Sequence, residues 1–209
     1  MDLVFDLDGT LTDPALGVVR CMNYALTSFD YSPLPDAKIT EHIGPPLEQT
    51  VVRLTGSDDA THIDAVAAAY RERYGEFGFK ENTVYAGIPE MLQTLKDAGH
   101  KLGVCTSKLQ INANRVINEF QLDRYFDFVN GSSNKSSKSE QLSDLLARGQ
   151  ISPEAIMIGD RAIDLSAAHE NRLRSAGVLW GYGSRDELAE LEPTYLVETP
   201  VQLLTAIAA

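Results

Sequence analysis

Asp6 and Asp8 stand one residue apart, directly after the apolar run Leu3-Val4-Phe5. Two carboxylates held this close repel one another unless a cation neutralises them. The pair therefore reads either as a polar turn leaving a buried strand or as a cation-assisted site, and Gly9 follows it at once. Groups of the same kind recur further along. Thr106-Ser107 closes the run Leu102–Cys105, and Gly159-Asp160 closes Ala155–Ile158 with Asp164 four residues on. Ser137-Lys138-Ser139-Glu140 matches a capping box, which puts Lys138 in the first turn of a helix. A lysine there sits beside helix N–H groups, and both attract a phosphate. Taken singly, each has a plainer reading: Thr106 as a satisfied loop hydroxyl, Lys138 as a solvated surface lysine, Asp160 as a helix cap and Asp164 as a surface acid.

These groups meet only if the apolar runs before them are parallel strands, because strand carboxyl ends then lie along one edge of a sheet. The pattern from Pro89 onward supports this. Helical spacing at Met91, Leu92 and Leu95, the run Leu102–Cys105, helical spacing at Ile111, Val116, Ile117 and Phe120, and a run at Phe126–Val129 follow in turn. A helix through Leu142, Leu145 and Leu146, the run Ala155–Ile158, a helix through Ile163, Leu165, Ala168 and Leu173, and a run at Ala176–Leu179 continue the alternation. Leu196-Val197 reads as a last short strand before a C-terminal helix. Repeated strand–helix units imply a parallel sheet covered on both faces, an α/β core of Rossmann-like type.

Residues 14–83 read differently. Asp13 is a candidate cap with Pro14 in first position, ahead of Val18, Val19, Met22, Leu26 and Phe29 at helical spacing. A second helix is expected after Pro46, through Leu47, Val51 and Leu54 to Gly56, and a third from Asp58 or Asp59 through Ile63, Val66, Tyr70, Tyr74 and Phe77. Tyr70, Tyr74 and Phe77 are either core or a surface for stacking a base. The stretch is too long for an ordinary crossover. The expected organisation is therefore a core of residues 1–13 and 84–209 with an inserted all-helical cap domain at 14–83.

Composition narrows the partners. With 44% hydrophobic and 23% charged residues the chain is ordinary for a globular protein. Its net charge of −12 argues against a nucleic-acid polymer or an anionic membrane, yet leaves a small phosphorylated metabolite open, since a metal and a few lysines reverse the field locally. No apolar run reaches membrane-spanning length. Asp2, Asp6 and Asp8 fall where a secretory leader needs basic and apolar residues. Cys21 and Cys105 read as reduced packing residues. A cytoplasmic monomer or homodimer is expected.

The run Asp6-Leu7-Asp8-Gly9-Thr10-Leu11-Thr12-Asp13 resembles the first motif of the haloacid dehalogenase-like phosphatases. In the same order Thr106 matches the second motif, Lys138 the third, and Gly159-Asp160 with Asp164 the fourth, so the resemblance covers nearly the whole chain. The helical stretch is similar to the cap that many members carry between the first two motifs. Gly177 to Ser184, with Glu187-Leu188, looks like the phosphoglycolate phosphatase branch. Within that branch the tail and Ile43-Gly44-Pro45-Pro46-Leu47 look most like members described as 5′-nucleotidases. Arg161 is a departure, standing where small residues are commoner.

The resemblance implies a phosphomonoesterase working through an aspartyl-phosphate. Asp6 would be the nucleophile and Asp8 the acid and then the base. Mg²⁺ would be held by Asp6, Asp160 and the Asp8 carbonyl, with Asp164 supporting. Gly9, Thr106, Ser107 and Lys138 would bind the phosphoryl group, and the cap would set specificity through Gly44, Pro45 and Pro46. The implied substrate is a nucleoside 5′-monophosphate, with 2-phosphoglycolate as the alternative. A dehalogenase needs no acid at position 8; a phosphomutase would share these residues; a non-catalytic binding protein would have lost one of them.

Overall fold

The computed structural model describes residues 1–133 and 136–208. The chain starts with β1 (Asp2–Phe5), whose apolar residues are all buried, and a two-residue strand β2 (Thr12–Asp13). It then forms α1 (Ala15–Ser28), α2 (Asp36–Thr40), α3 (Leu47–Thr55) and α4 (Ala60–Glu76). After β3 (Thr83–Val84) come α5 (Ile88–Asp97), β4 (Lys101–Leu109), α6 (Gln110–Glu119), β5 (Phe128–Ser132), α7 (Lys138–Ala147), β6 (Ile156–Gly159), α8 (Ala162–Glu170), β7 (Arg174–Val178), α9 (Arg185–Ala189), β8 (Tyr195–Val197) and α10 (Pro200–Ala208). No helix among the described residues is long and apolar enough to cross a membrane.

Residues 1–13 and 84–209 form one compact unit and residues 14–83 another. The first holds a six-stranded sheet in the order β5-β4-β1-β6-β7-β8, every neighbouring pair parallel. The α/β reading is thus correct. β1 is central and the order reverses on either side of it, with Phe5 level with Val104 on one flank and Ile158 on the other. In open sheets of this kind ligands bind beyond the strand carboxyl ends at the point of reversal. That point lies between β4 and β6, where residues 6–8, 106–108 and 160 emerge. One face of the sheet is sealed by Val4, Cys105, Met157, Leu142, Leu145, Ala167 and Ala168. Burial pushes the Cys105 thiol up to about 12, which suits an inert packing residue.

The helical unit has its own core of Val19, Met22, Leu26, Ile39, Val51, Val66, Tyr70 and Tyr74. The two tyrosine rings stack at 5.7 Å, whereas Phe77 is half exposed beside Arg73. Asp59 caps α4 by accepting from Thr61 N at 2.9 Å, and Gly56 ends α3 in the left-handed region. Gly44, with φ 115°, Pro45 and Pro46 lead into α3.

Two local expectations are corrected, and two short helices were not read. Asp13 does not cap α1; it lies in β2 and accepts a hydrogen bond from the Tyr182 hydroxyl, leaving Pro14 at the cap. The strand expected at Phe126–Val129 starts two residues later, and it runs on to Ser132 because β4 itself continues past Thr106 and pairs Leu109 with Ser132. The five-residue helices α2 and α9 carried no readable period.

Candidate active site

Asp6 leaves β1 with its N–H bonded to Ile158 O at 2.9 Å, which fixes its backbone to β6. The chain then turns sharply: Leu11 and Thr12 donate to Leu7 O at 2.9 and 3.0 Å, and Gly9 donates to Thr12 O at 2.8 Å. Gly9 has φ +86°, and a Cβ there would stand 2.2 Å from Asp160 Oδ2, so only glycine fits. This turn brings Asp6 beside the ends of β6 and α8.

Asp6, Asp160 and Asp164 are all buried, and one carboxylate oxygen of each lies within 4.8 Å of the others. Lys138, the first residue of α7, reaches into the cluster from a helix start held by the capping box: Ser137 Oγ accepts from Glu140 N at 3.2 Å, and Ser137 N donates to Glu140 Oε2 at 2.8 Å. Its ammonium donates to Asp164 Oδ1 and lies 3.0 Å from Asp6 Oδ1. The second contact is an ion pair without hydrogen-bond directionality, so Asp6 Oδ1 is buried with no hydrogen bond among the described residues. Lys138 is fully buried rather than solvated, Asp160 is not the cap of α8, which is Arg161, and Asp164 is a buried acid that also accepts from Arg161 N at 3.1 Å. Thr106 is buried within β4, just past the last regular pair at Cys105, Ser107 is half-buried beside it, and the Thr106 hydroxyl accepts from Lys108 N at 3.3 Å.

Asp160 is braced by groups far away in sequence. Thr10 Oγ1 donates to its Oδ1 at 2.9 Å, and Tyr182 N donates to its Oδ2 at 2.9 Å. Trp180 Nε1 donates to Thr10 O at 2.9 Å, so the loop after β7 clamps the first turn from behind. A Cβ on Gly181 would meet Gly9 O at 2.3 Å and Asp160 Cβ at 2.4 Å, which is why glycine stands there. Arg161 is tied to Glu187, its Nε 3.0 Å from Oε1, which also accepts from Ala162 N at 2.8 Å. The departure at position 161 therefore has a partner in the tail. Asp8 points its Oδ2 at Lys108 Nζ, 2.6 Å away, while its Oδ1 is buried without a hydrogen bond among the described residues.

Electrostatics follow from burial. Desolvation, then the Asp164 and Asp6 charges, push Asp160 above the ordinary carboxylate range. Asp164 and Asp8 are likewise raised by burial first, opposed by Lys138 and Lys108 respectively. Burial pulls Lys138 down, but the charges of Asp164 and Asp6 outweigh it and its net direction is up. Three carboxylates face one ammonium here, an excess of two negative charges in a buried place. A divalent cation with oxygen ligands fits that excess and the orphaned Asp6 oxygen.

The family model for haloacid dehalogenase-like hydrolases matches residues 3–178. The chain belongs to that family. A 5′-nucleotidase of Pseudomonas aeruginosa is 39% identical to it, over 93% of this chain and 89% of that protein. A protein of Mycobacterium tuberculosis called tyrosine-protein kinase PtkA is 34% identical, over 92% of this chain and 66% of that one. The crystal structure of a predicted phosphatase from Clostridium acetobutylicum superposes with a TM-score of 0.94 at 35% identity, covering 99% of this chain and 97% of that one. The chain is an enzyme of the phosphatase type within the family.

The strand-end acids, Thr106 and Lys138 are brought together by the sheet. Gly44, Pro45 and Pro46 lie in the helical unit. Lys108, Thr10, Trp180, Gly181 and Tyr182 were not singled out for the site from sequence. Lys108 had a usable signal, adjacency to Thr106-Ser107; Thr10 and the 180–182 loop act through contacts more than twenty residues apart.

Proposed function

We propose that this enzyme is a Mg²⁺-dependent phosphomonoesterase that passes the phosphoryl group through Asp6 and acts on nucleoside 5′-monophosphates. The observation that carries the reading is Asp6 Oδ1: a buried carboxylate oxygen at the end of the central strand, without a hydrogen bond among the described residues, beside a buried lysine. Leaving a buried acceptor unpaired costs about 1–3 kcal/mol, a cost that makes sense for an atom whose partner is the substrate or its counter-ion.

Asp6 attacks phosphorus as the ester P–O bond breaks and the electron pair leaves with the alcohol oxygen. Asp8 gives that oxygen its proton. Water then attacks the phosphorus of the aspartyl-phosphate, its proton passes to Asp8, and inorganic phosphate leaves as the Asp6 carboxylate re-forms. Thr106, Ser107, the Gly9 turn and Lys138 hold the phosphoryl oxygens, where transition-state charge is spread. Asp6, Asp160 and the Asp8 carbonyl would hold Mg²⁺ with Asp164 in support; the ion would screen these anions so that a phosphate dianion can approach them.

These groups meet only phosphate and metal, which every phosphomonoester offers. Discrimination then falls to the cap, residues 14–83, the segment free of catalytic duties, with the stiff Gly44-Pro45-Pro46 turn as the surface for the leaving group. The nucleotide choice is supported by the 39% identical relative named 5′-nucleotidase. The two buried cysteines form no disulfide, which supports a cytoplasmic location. The test is phosphate release from nucleoside monophosphates and from phosphoglycolate, with and without excess chelator. Full activity in chelator removes the metal role, and a preference in kcat/KM of about tenfold for phosphoglycolate, about 1.4 kcal/mol, reverses the substrate. Transfer to an acceptor other than water, with no inorganic phosphate released, would make it a phosphotransferase instead.

A further inference from the structure

Asp8 is held by only one of its two oxygens. Oδ2 pairs with Lys108 Nζ at 2.6 Å, and Oδ1 is buried without a hydrogen bond among the described residues. The Lys108 side chain is 8% exposed and that of Asp8 17%, so this is no solvated surface pair. The lysine is also anchored along its backbone. Its N–H donates to Thr106 Oγ1, and β4 rejoins β5 at Leu109, one residue on. Between these points the strand register shifts, and Gln110 closes the gap: its Oε1 accepts from Gly131 N at 2.8 Å and its Nε2 donates to Val129 O at 3.1 Å.

We infer that Lys108 is a positioning residue that clamps Asp8 Oδ2 and so assigns Oδ1 as the oxygen that exchanges the proton with the leaving group. This rests on the proposed acid role of Asp8. Without the clamp the carboxyl group is free to rotate about its Cβ–Cγ bond, and it spends less time with a proton aimed at the leaving oxygen. Such misalignment matters only where a proton is needed. An alkyl ester leaves as a poor alkoxide and needs one as the P–O bond breaks; an acidic aryl alcohol leaves as its anion without one. A lysine that merely supports the fold would slow both alike.

The experiment measures kcat/KM, which covers the chain of steps up to leaving-group departure and not the later hydrolysis of Asp6. Wild type, Lys108→Met, Lys108→Gln and Asp8→Asn are compared on the best alkyl phosphate and on p-nitrophenyl phosphate. Each Lys108 variant is expected to lose at least tenfold more on the alkyl than on the aryl ester, with Asp8→Asn losing more still. Activity on the aryl ester shows that the variant is folded, and the second variant serves if the first is not. Equal losses on both esters in the Lys108 variants, with Asp8→Asn still selective, overturn the positioning role and leave the acid assignment standing. Equal losses in Asp8→Asn itself overturn the acid assignment, and the clamp with it.

Discussion

Replacing Thr10 by Val tests how the first turn governs the metal. The two side chains have nearly the same shape, and Thr10 is fully buried, so the change deletes a donor with little repacking. What goes is one of the two hydrogen bonds described on the Asp160 carboxylate, the 2.9 Å bond to Oδ1; the 2.9 Å bond from Tyr182 N to Oδ2 remains. A hydrogen bond to a charged acceptor contributes about 1.5–3 kcal/mol. Loss of a partner that orients a metal ligand lowers metal affinity roughly 10- to 100-fold, or about 1.4–2.8 kcal/mol, so the two routes agree. The assay is phosphate release against Mg²⁺ concentration, with the Mg²⁺-induced rise in Tm as an activity-free readout. Thr10→Val should shift half-saturation upward by that factor and recover most of its rate at saturating Mg²⁺. A folded variant with unchanged half-saturation would refute the idea that Thr10 aims Asp160 at the ion.

Asp6→Asn should abolish turnover while keeping the fold, and it should raise the metal-free Tm by removing one charge from the carboxylate cluster; near wild-type phosphate release would sink the nucleophile assignment. Asp160 and Asp164 are raised above 3.8 in the folded protein by burial first, so the folded state binds more protons than the unfolded one as pH climbs past that value. Metal-free stability should therefore fall as pH rises from about 4 toward neutrality, and Mg²⁺ should flatten the slope; urea midpoints across that range check it. Gly181→Ala would drive a methyl against Gly9 O and Asp160 Cβ, costing about 1–3 kcal/mol in urea unfolding and weakening the Mg²⁺ response; unchanged values would show that the loop yields freely.

The α/β core was legible because its strands are short apolar runs broken by polar residues, and in a parallel sheet those breaks share an edge. The same logic puts Asp6, Thr106 and Asp160 along one sheet edge, and the capping box puts Lys138 in the first turn of its helix. It failed where the deciding contact is distant in sequence. Asp13 looked like a helix cap because the local grammar said so, but its partner, Tyr182, lies 169 residues away. The capping box puts Lys138 where it can attract a phosphate, but that its ammonium is shared between Asp164 and Asp6 is something no spacing rule reveals. β5 runs on to Ser132 because it follows the extension of β4 rather than its own hydrophobic pattern.

The Tyr85 N–H donates to Leu11 O at 3.2 Å, so the chain comes back to within one hydrogen bond of the place it left before residues 14–83 intervened. An excursion whose ends already touch adds no new loop to close. The entropy of closing a loop grows only with the logarithm of its length, so exchanging a short tether for a seventy-residue excursion costs only about 2 kcal/mol. Selection can then lengthen, shorten or exchange that piece without re-optimising the strand ends. If the cap chooses the ester as proposed, cutting a phosphate ester and choosing which one to cut become separable traits of one polypeptide.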